Sequence, residues 1–124
     1  MSGLPHPLPD DLAELIARRF RVIGEPARIR LLDQLRDGEQ SVNALADRLN
    51  AGQQNVSKHL NVLADAGILA KRRDGNHVYY RIVDDRVLGL CEQVCGSLEQ
   101  QLQTLTLIVG GAGPPSRRPS LRPH

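Results

Sequence analysis

Two thiols are the most reactive side chains in this sequence, and they lie four positions apart. Cys91 and Cys95 are the only cysteines among the 124 residues. Thiols can be oxidised or persulfidated, and they bind soft ions such as As(III) or Zn(II). Cysteine also packs in proteins as a small hydrophobic side chain. The sequence leaves both alternatives open: Cys91 and Cys95 are candidate sensor residues, or they are structural.

The spacing of the two cysteines disfavours a thiol oxidoreductase. Such enzymes carry Cys-x-x-Cys at a helix start in a βαβ unit, whereas this chain has Cys-x-x-x-Cys. Side chains four apart on a helix have Cβ atoms ~5–6 Å apart, against the ~3.8 Å of a disulfide. A disulfide between two protomers is therefore easier to form than one within a helix.

Amide, hydroxyl and basic side chains are concentrated in residues 53–83. This segment has five basic residues, at positions 58, 71, 72, 73 and 81, against two acidic ones. Gln and Asn can bond adenine in a bidentate manner, Lys reaches guanine or phosphate, and Ser bonds either. The candidates for base and phosphate contacts are Gln53, Gln54, Asn55, Ser57, Lys58 and Asn61, followed by Arg72, Arg73, Asn76 and His77. The alternative is a polar face that is merely solvated.

Hydrophobic periodicity predicts two helices in the first part of the chain. Asp10 is the predicted N-cap of the first helix, which carries one apolar stripe and ends at Gly24. Pro26 is predicted to open the second helix, which runs to about Arg36. The side chains predicted to point inward from it are Ile29, Leu32 and Leu35.

A second helix pair and a hairpin follow. Ser41 is predicted to cap a short third helix, and Asn50-Ala51-Gly52 separates that helix from a fourth. Extended segments on both sides of Asp74-Gly75-Asn76 predict a β-hairpin. Two helices joined by a tight turn, followed by a basic hairpin, are typical of a winged helix-turn-helix, whose second helix enters the major groove.

A fifth helix is predicted to carry a regular apolar seam. Asp84 or Asp85 caps it, and it continues to about Val109. Its apolar positions alternate three and four apart, as in a coiled coil. The seam residues are Leu88, Cys91, Cys95, Leu98, Leu102, Leu105 and Val109. The seam predicts a homodimer through the first and fifth helices, with four thiols near the two-fold axis.

The predicted fold is α+β, a winged helix-turn-helix of order α-α-α-α-β-β-α. The length allows one domain, which we expect to be a DNA-binding and dimerisation domain over residues 10–109. Residues 1–9 are expected to be an irregular lead, and residues 110–124 a disordered basic tail rich in Gly, Pro and Arg.

Residues 25–82 closely resemble the ArsR/SmtB family of bacterial winged-helix transcriptional repressors. The matching strings are EPARIRLL, NVSKHLNVLADAGIL and RRDGNHVYYRI. The resemblance implies a homodimer that binds double-stranded DNA at an imperfect palindromic operator and leaves it when an inducer binds or a thiol is modified. It also implies that Gln53, Gln54, Asn55, Ser57 and Lys58 contact the major groove and that Arg72, Arg73, Asn76 and His77 lie in the wing.

The two best-known metal sites of that family lack their ligands here. The cysteine positions at the start of the third helix read Ser41, Val42 and Asn43. The positions of the fifth-helix site read Asp84, Arg86, Ser97 and Gln100. Arg repels a metal cation, and Ser and Gln are poor ligands for zinc or nickel. We expect no metal at the usual family positions and no required cofactor, with a thiophilic ion at Cys91 and Cys95 left open.

The histidines do not suggest a metal cluster either. His59 lies beside the apolar stripe of the fourth helix and is interpreted as a packing or hydrogen-bonding residue. His6 and His124 lie at opposite ends of the chain. No Ser, His and acid arrangement suggests catalysis, and Gly110-Gly111-Ala112-Gly113 lacks the Lys-Ser/Thr of a phosphate loop. We therefore expect no enzyme activity.

Composition excludes several other classes. One Phe, two Tyr and no Trp leave little for base stacking on aromatic rings. Neither a signal peptide nor a membrane span is visible, and with two cysteines this favours a cytoplasmic protein without a membrane partner. The remaining alternative is a helical dimerisation or adaptor module that does not bind DNA and whose cysteines are structural.

Overall fold

The chain divides after Asp84 into two units, each with its own secondary structure. The computed structural model describes residues 3–109, so the predicted tail at 110–124 lies outside the described residues. The N-terminal unit contains four helices and a three-stranded sheet. The C-terminal unit contains one long helix. No helix within residues 3–109 is long and apolar enough to cross a membrane.

Helix α1 spans Asp10–Ile23, directly after the irregular residues 3–9. The predicted cap is wrong: Asp10 is already helical, and the N-cap is Pro9, which makes no side-chain cap bond. Asp10 and Asp11 instead place negative charge in the first turn, where it interacts favourably with the helix dipole. The helix ends at its C-cap Gly24, where a Cβ would lie only 2.9 Å from the carbonyl oxygen of Phe20, so the position favours glycine.

Helix α2 spans Pro26–Gln34, with Pro in the first turn and Glu25 as N-cap. The helix was predicted to run to about Arg36, but its last turn is a 3₁₀ turn over Leu35–Asp37. Leu32 and Leu35 are buried as predicted. Ile29 does not point inward, since it is 42% exposed, and Leu31 at 1% takes the inner position. Leu31 and Leu35 lie one turn apart on the inner side, whereas Ile29 lies nearly opposite Leu31.

Helices α3 and α4 span Val42–Leu49 and Gln53–Asp65. Both predicted signals at the ends of α3 are confirmed. The Ser41 hydroxyl accepts a hydrogen bond from the Ala44 amide at 3.1 Å, and Asn50 adopts the left-handed conformation that ends the helix. The side chains that hold the pair to the core are Leu45, Ala46, Val56, Leu60 and Leu63.

The sheet has the order β1-β3-β2, with both pairings antiparallel. Strands β2 (Leu69–Asp74) and β3 (His77–Ile82) form the predicted hairpin, in which Gly75 has a positive φ of 62°. The prediction missed β1, which is only Gln40–Ser41 and pairs with Tyr80 and Tyr79 of β3. Tyr80 on the middle strand is fully buried.

Helix α5 spans Arg86–Val109 and begins one residue after Asp85, one of the two predicted caps. Large apolar side chains of its seam are exposed to solvent in the single chain. Leu98, Leu102 and Leu105 are 40%, 37% and 50% exposed. Two side chains of the predicted α1 stripe, Leu15 and Phe20, are also more than half exposed.

Candidate nucleic-acid interface

The outer face of helix α4 carries most of the predicted contact residues. Gln53, Gln54, Asn55 and Lys58 are exposed, and Ser57 is half-buried, while the opposite face of α4 packs on the core. Gly52 is the N-cap and adds no side chain over the helix start. The first amides of α4 therefore meet solvent beside the amide side chains, at the positive end of the helix dipole.

A groove of about 260 Å³ joins this face to the hairpin. Its walls come from the start of α3, the first turns of α4 and the start of β3. The lining residues are Ser41, Val42, Asn43, Gln53, Gln54, Ser57, Asn76, His77 and Val78. The structure thus brings five predicted contact residues, three from the helix and two from the hairpin, to one surface. The other four lining residues, Ser41, Val42, Asn43 and Val78, were not predicted as part of it, because β1 and its pairing with β3 were not foreseen.

Asn55 and His59 line a different hollow, of about 190 Å³. The Nδ1 atom of His59 lies 3.1 Å from the Arg28 guanidinium, so His59 has the predicted hydrogen-bonding role. Burial lowers the pKa of His59, and the Arg28 charge lowers it further. A neutral His59 can accept the bond that Arg28 donates, and this bond ties α2 to α4.

Asn61, which was predicted as a DNA contact, is half-buried and bonds to the sheet. Its Oδ1 accepts a 2.7 Å hydrogen bond from the Tyr80 hydroxyl. Burial raises the pKa of Tyr80, with a smaller contribution from Asp65, so the hydroxyl stays protonated and donates. Asn61 therefore braces α4 against the sheet. The alternation of HVYYRI places Tyr80 inward, and a buried tyrosine needs a hydrogen-bond partner for its hydroxyl. This was the available sequence signal that Tyr80 bonds a polar side chain of a neighbouring element.

The hairpin presents Arg73, Asn76 and His77 at its exposed tip, with Lys71 and Arg81 also exposed. Arg72, which was predicted as a wing contact to DNA, is bonded to Glu39. Two of its nitrogens donate to the Glu39 carboxylate, at 2.7 and 3.1 Å. The same bonds hold the pKa of Glu39 below its usual value. No local sequence signal indicated that Glu39 pairs with Arg72, because the two residues lie far apart in sequence.

The predicted sensor residues both lie on α5. Cys91 and Cys95 are free thiols, each half-buried. Burial raises the pKa of Cys91. Within residues 3–109, no group of three or more His, Cys, Asp or Glu side chains could hold a metal ion. Of the family metal positions, Ser41 caps α3 and Asp84 accepts from Arg19 at 3.3 Å.

The sequence is similar to known regulators over most of the described region. A helix-turn-helix domain model matches residues 23–72. The HTH-type transcriptional regulator KmtR of Mycobacterium tuberculosis is 39% identical over 69% of this chain and 66% of its own length. This chain thus spans slightly less than two thirds of KmtR. A transcriptional repressor SmtB homolog of Synechocystis is 31% identical over 73% of this chain and 68% of its own length.

The chain belongs to the ArsR/SmtB family of transcriptional regulators. A solved structure agrees with this assignment: the homodimeric winged helix-turn-helix DNA-binding domain of a possible ArsR-family regulator from Mycobacterium bovis, determined by NMR. It superposes with a TM-score of 0.66 at 28% identity, covering 82% of this chain and 94% of that one. The predicted ArsR/SmtB resemblance and the winged helix-turn-helix fold are therefore confirmed, with β1 as the element that had been missed.

Proposed function

We propose that this ArsR/SmtB protein is a homodimeric transcriptional repressor. Helix α4 contacts the base edges of duplex DNA, and the hairpin contacts its phosphate backbone. The groove shared by Gln53, Gln54 and Ser57 with Asn76 and His77 is the observation that carries the proposal. It holds base-reading amides and the wing tip on one exposed surface. Amides read base edges in the major groove, and the wing contacts the backbone beside it.

Exposed positive charge on α4 and the hairpin supports a polyanionic partner. Lys58 on α4 and Lys71, Arg73 and Arg81 on the hairpin are all exposed. Cations that neutralise phosphates release counterions, which supplies affinity for any sequence. Specificity is then left to the amide side chains of α4. We propose no catalytic reaction for the chain and place its action in the cytoplasm.

Exposed apolar residues support the dimer. Leu98, Leu102 and Leu105 repeat along α5 at heptad spacing and are each more than a third exposed. A second copy would cover such a seam, and α1 adds Leu15 and Phe20. A two-fold dimer presents two copies of α4 to half-sites ~34–36 Å apart, which is why the operator is expected to be an imperfect palindrome.

A response through Cys91 and Cys95 is the remaining part of the proposal. Both thiols lie in the α5 seam beside the exposed leucines, so in the dimer four sulfurs would come close to the two-fold axis. Oxidation or a thiophilic ion bound there would change how the two α5 helices pack. The spacing of the two α4 helices would change with it, and operator affinity would fall.

Selection from a pool of random duplexes tests the proposal. The full chain is incubated with the pool at moderate salt, and retained duplexes are sequenced over several rounds. We expect an inverted repeat whose half-sites are about one helical turn apart. Retention without enrichment of any sequence, or no retention, would contradict it. No retention is the result expected of the alternative function, a helical dimerisation or adaptor module that does not bind DNA.

The same selected duplex tests the thiol response. Its affinity is compared for reduced, oxidised and Zn(II)-loaded protein, with the Cys91→Ser/Cys95→Ser variant as the matched control. We expect binding to weaken only where the thiols are present, by a coupling of ~1–3 kcal/mol. Equal affinities in all states would refute the thiol response and leave the proposed DNA-binding function unaffected.

A further inference from the structure

The guanidinium of Arg72 is engaged on three sides. Its Nε donates to Oε2 of Glu39 at 3.1 Å, and one terminal nitrogen donates to Oε1 at 2.7 Å. Its centre lies 4.5 Å from the centroid of the Tyr79 ring. Its other terminal nitrogen lies 3.9 Å from the Asp74 carboxylate. Paired N–H bonds to one carboxylate are the strongest geometry that arginine offers.

These interactions reach across the whole sheet. Arg72 lies on β2, its direct cross-strand partner Tyr79 lies on the middle strand β3, and Glu39 immediately precedes β1. Neighbouring strands are ~4.7–4.9 Å apart, so the extended Arg72 side chain passes over β3 to meet Glu39. The side chain therefore reaches across the sheet toward the segment that enters α3.

The cluster also changes the charge that the hairpin offers. Glu39, Arg72 and Asp74 together have a net charge of −1, because one guanidinium lies between two carboxylates. A phosphate that approached the Nε edge of Arg72 would have to displace Glu39 from the same N–H groups, and one that approached the other terminal nitrogen would meet the Asp74 carboxylate 3.9 Å away. The cations left open on the hairpin are Lys71, Arg73 and Arg81.

We propose that Glu39 is a specificity-determining residue, which withholds the Arg72 cation of each wing from DNA phosphate and so limits sequence-independent binding. The inference rests on the proposed DNA-binding function. Phosphate contacts raise the affinity for every sequence alike, whereas base contacts discriminate between sequences. Holding back one cation per wing lowers the affinity for random DNA without removing a base contact. The ratio of operator to random binding is thereby kept high.

The variant Glu39→Gln tests this, because it keeps the shape of the side chain and removes its charge. Affinities for the selected operator and for a random duplex are measured over a salt series. We expect Glu39→Gln to bind the random duplex several-fold more tightly at low salt. Its plot of log affinity against log salt should steepen by about one for each wing, the value for one additional neutralised phosphate. The operator-to-random ratio should fall.

Two further variants make the result specific to Arg72. Asp33→Asn removes the same charge from a carboxylate that pairs with Arg36 outside the hairpin, and it should not steepen the salt dependence. Adding Arg72→Gln to Glu39→Gln should restore the wild-type slope. The proposal is overturned if Glu39→Gln behaves like Asp33→Asn, or if the steeper slope persists in the double variant.

A measurement without DNA separates this inference from the proposed function. In the free protein, the Arg72 Nε–H bonded to Glu39 should exchange with solvent more slowly than that of exposed Arg73. The difference should vanish in Glu39→Gln. Fast Arg72 exchange in the wild type would overturn the inference even if the operator is bound. A wild-type protein that binds no duplex would refute the proposed function before any variant is compared.

Discussion

The hydroxyl of Tyr80 donates a 2.7 Å hydrogen bond to Oδ1 of Asn61, which joins the middle strand of the sheet to helix α4. Tyr80 is fully buried, whereas Asn61 is half-buried. The two ends of the bond are therefore unequal. Losing Asn61 leaves a buried hydroxyl without its partner, while losing the hydroxyl leaves an amide that solvent can reach.

The first prediction follows from this asymmetry. Asn61→Ala should lower the free energy of unfolding by about 1–3 kcal/mol, the cost of an unsatisfied buried group. Tyr80→Phe should cost about 0.5–1.5 kcal/mol, the net value of one hydrogen bond. Denaturant unfolding checks both, with Tyr79→Phe as the control, since Tyr79 is only half-buried. A larger loss for Tyr80→Phe than for Asn61→Ala would contradict the assigned geometry.

The second prediction separates base contacts, which give sequence specificity, from phosphate contacts, which do not. Gln54→Ala should weaken operator binding by ~1–3 kcal/mol and leave random DNA unaffected, if Gln54 makes a base contact. Arg73→Ala should weaken both duplexes alike and lower the salt slope by about one for each phosphate that Arg73 neutralises. Gln103→Ala, an exposed amide on α5, is the matched control. The same loss of specificity from Gln54→Ala and Arg73→Ala would refute the division.

The third prediction concerns the α5 seam. Leu98→Asp should yield monomers and abolish operator binding, because a charge would be buried in an apolar helix interface. Gln103→Asp introduces the same charge on an exposed position outside the seam and should leave the dimer intact. Analytical ultracentrifugation at micromolar concentration measures both. A wild-type protein that sediments as a monomer would refute the seam as an interface.

The fourth prediction uses the raised pKa of Cys91. Burial disfavours the thiolate, so the alkylation rate of Cys91 should keep rising with pH beyond 9, its ordinary value. Iodoacetamide labelling of the Cys95→Ser variant between pH 7 and 10 measures Cys91 alone. The same variant unfolded in denaturant supplies the reference curve, which should lie at lower pH. Coincident curves would mean that Cys91 is not shielded.

The fifth prediction concerns stability at mildly acidic pH. The pKa of His59 is lower in the folded state than the ordinary value of 6.5, so the unfolded chain binds the proton more readily. The stabilisation by neutral His59 is fully present above pH 6.5 and decreases as the pH falls below it. His59→Gln should flatten the dependence of unfolding free energy on pH between 7 and 5, relative to a His77→Gln control. Equal slopes in the two variants would exclude His59 as the cause.

Local signals were enough for the helices and the hairpin, because each depends on residues close in sequence. The Ser41 cap, the left-handed Asn50 and the turn at Gly75 all follow from side-chain chemistry within a few positions. The exposed amides of α4 follow from its apolar periodicity. In each case the pattern of types along a single element was sufficient.

The partners of two predicted site residues lie far along the chain and were not predicted. Asn61 bonds a tyrosine 19 positions away, and Arg72 bonds a carboxylate 33 positions away. Strand β1 is two residues long and exists only through its pairing with β3. No local pattern specifies such pairings, since tertiary interactions decide them.

The separation of the two faces of α4 bears on how this protein could acquire new targets. Gln53, Gln54 and Lys58 are exposed, while Val56, Leu60 and Leu63 carry the packing. Most surface substitutions change stability by no more than ~0.5 kcal/mol, and typical domains have only ~5–15 kcal/mol in total. Duplicated copies of the gene could therefore diverge in operator preference by single substitutions on the outer face while the domain stays folded.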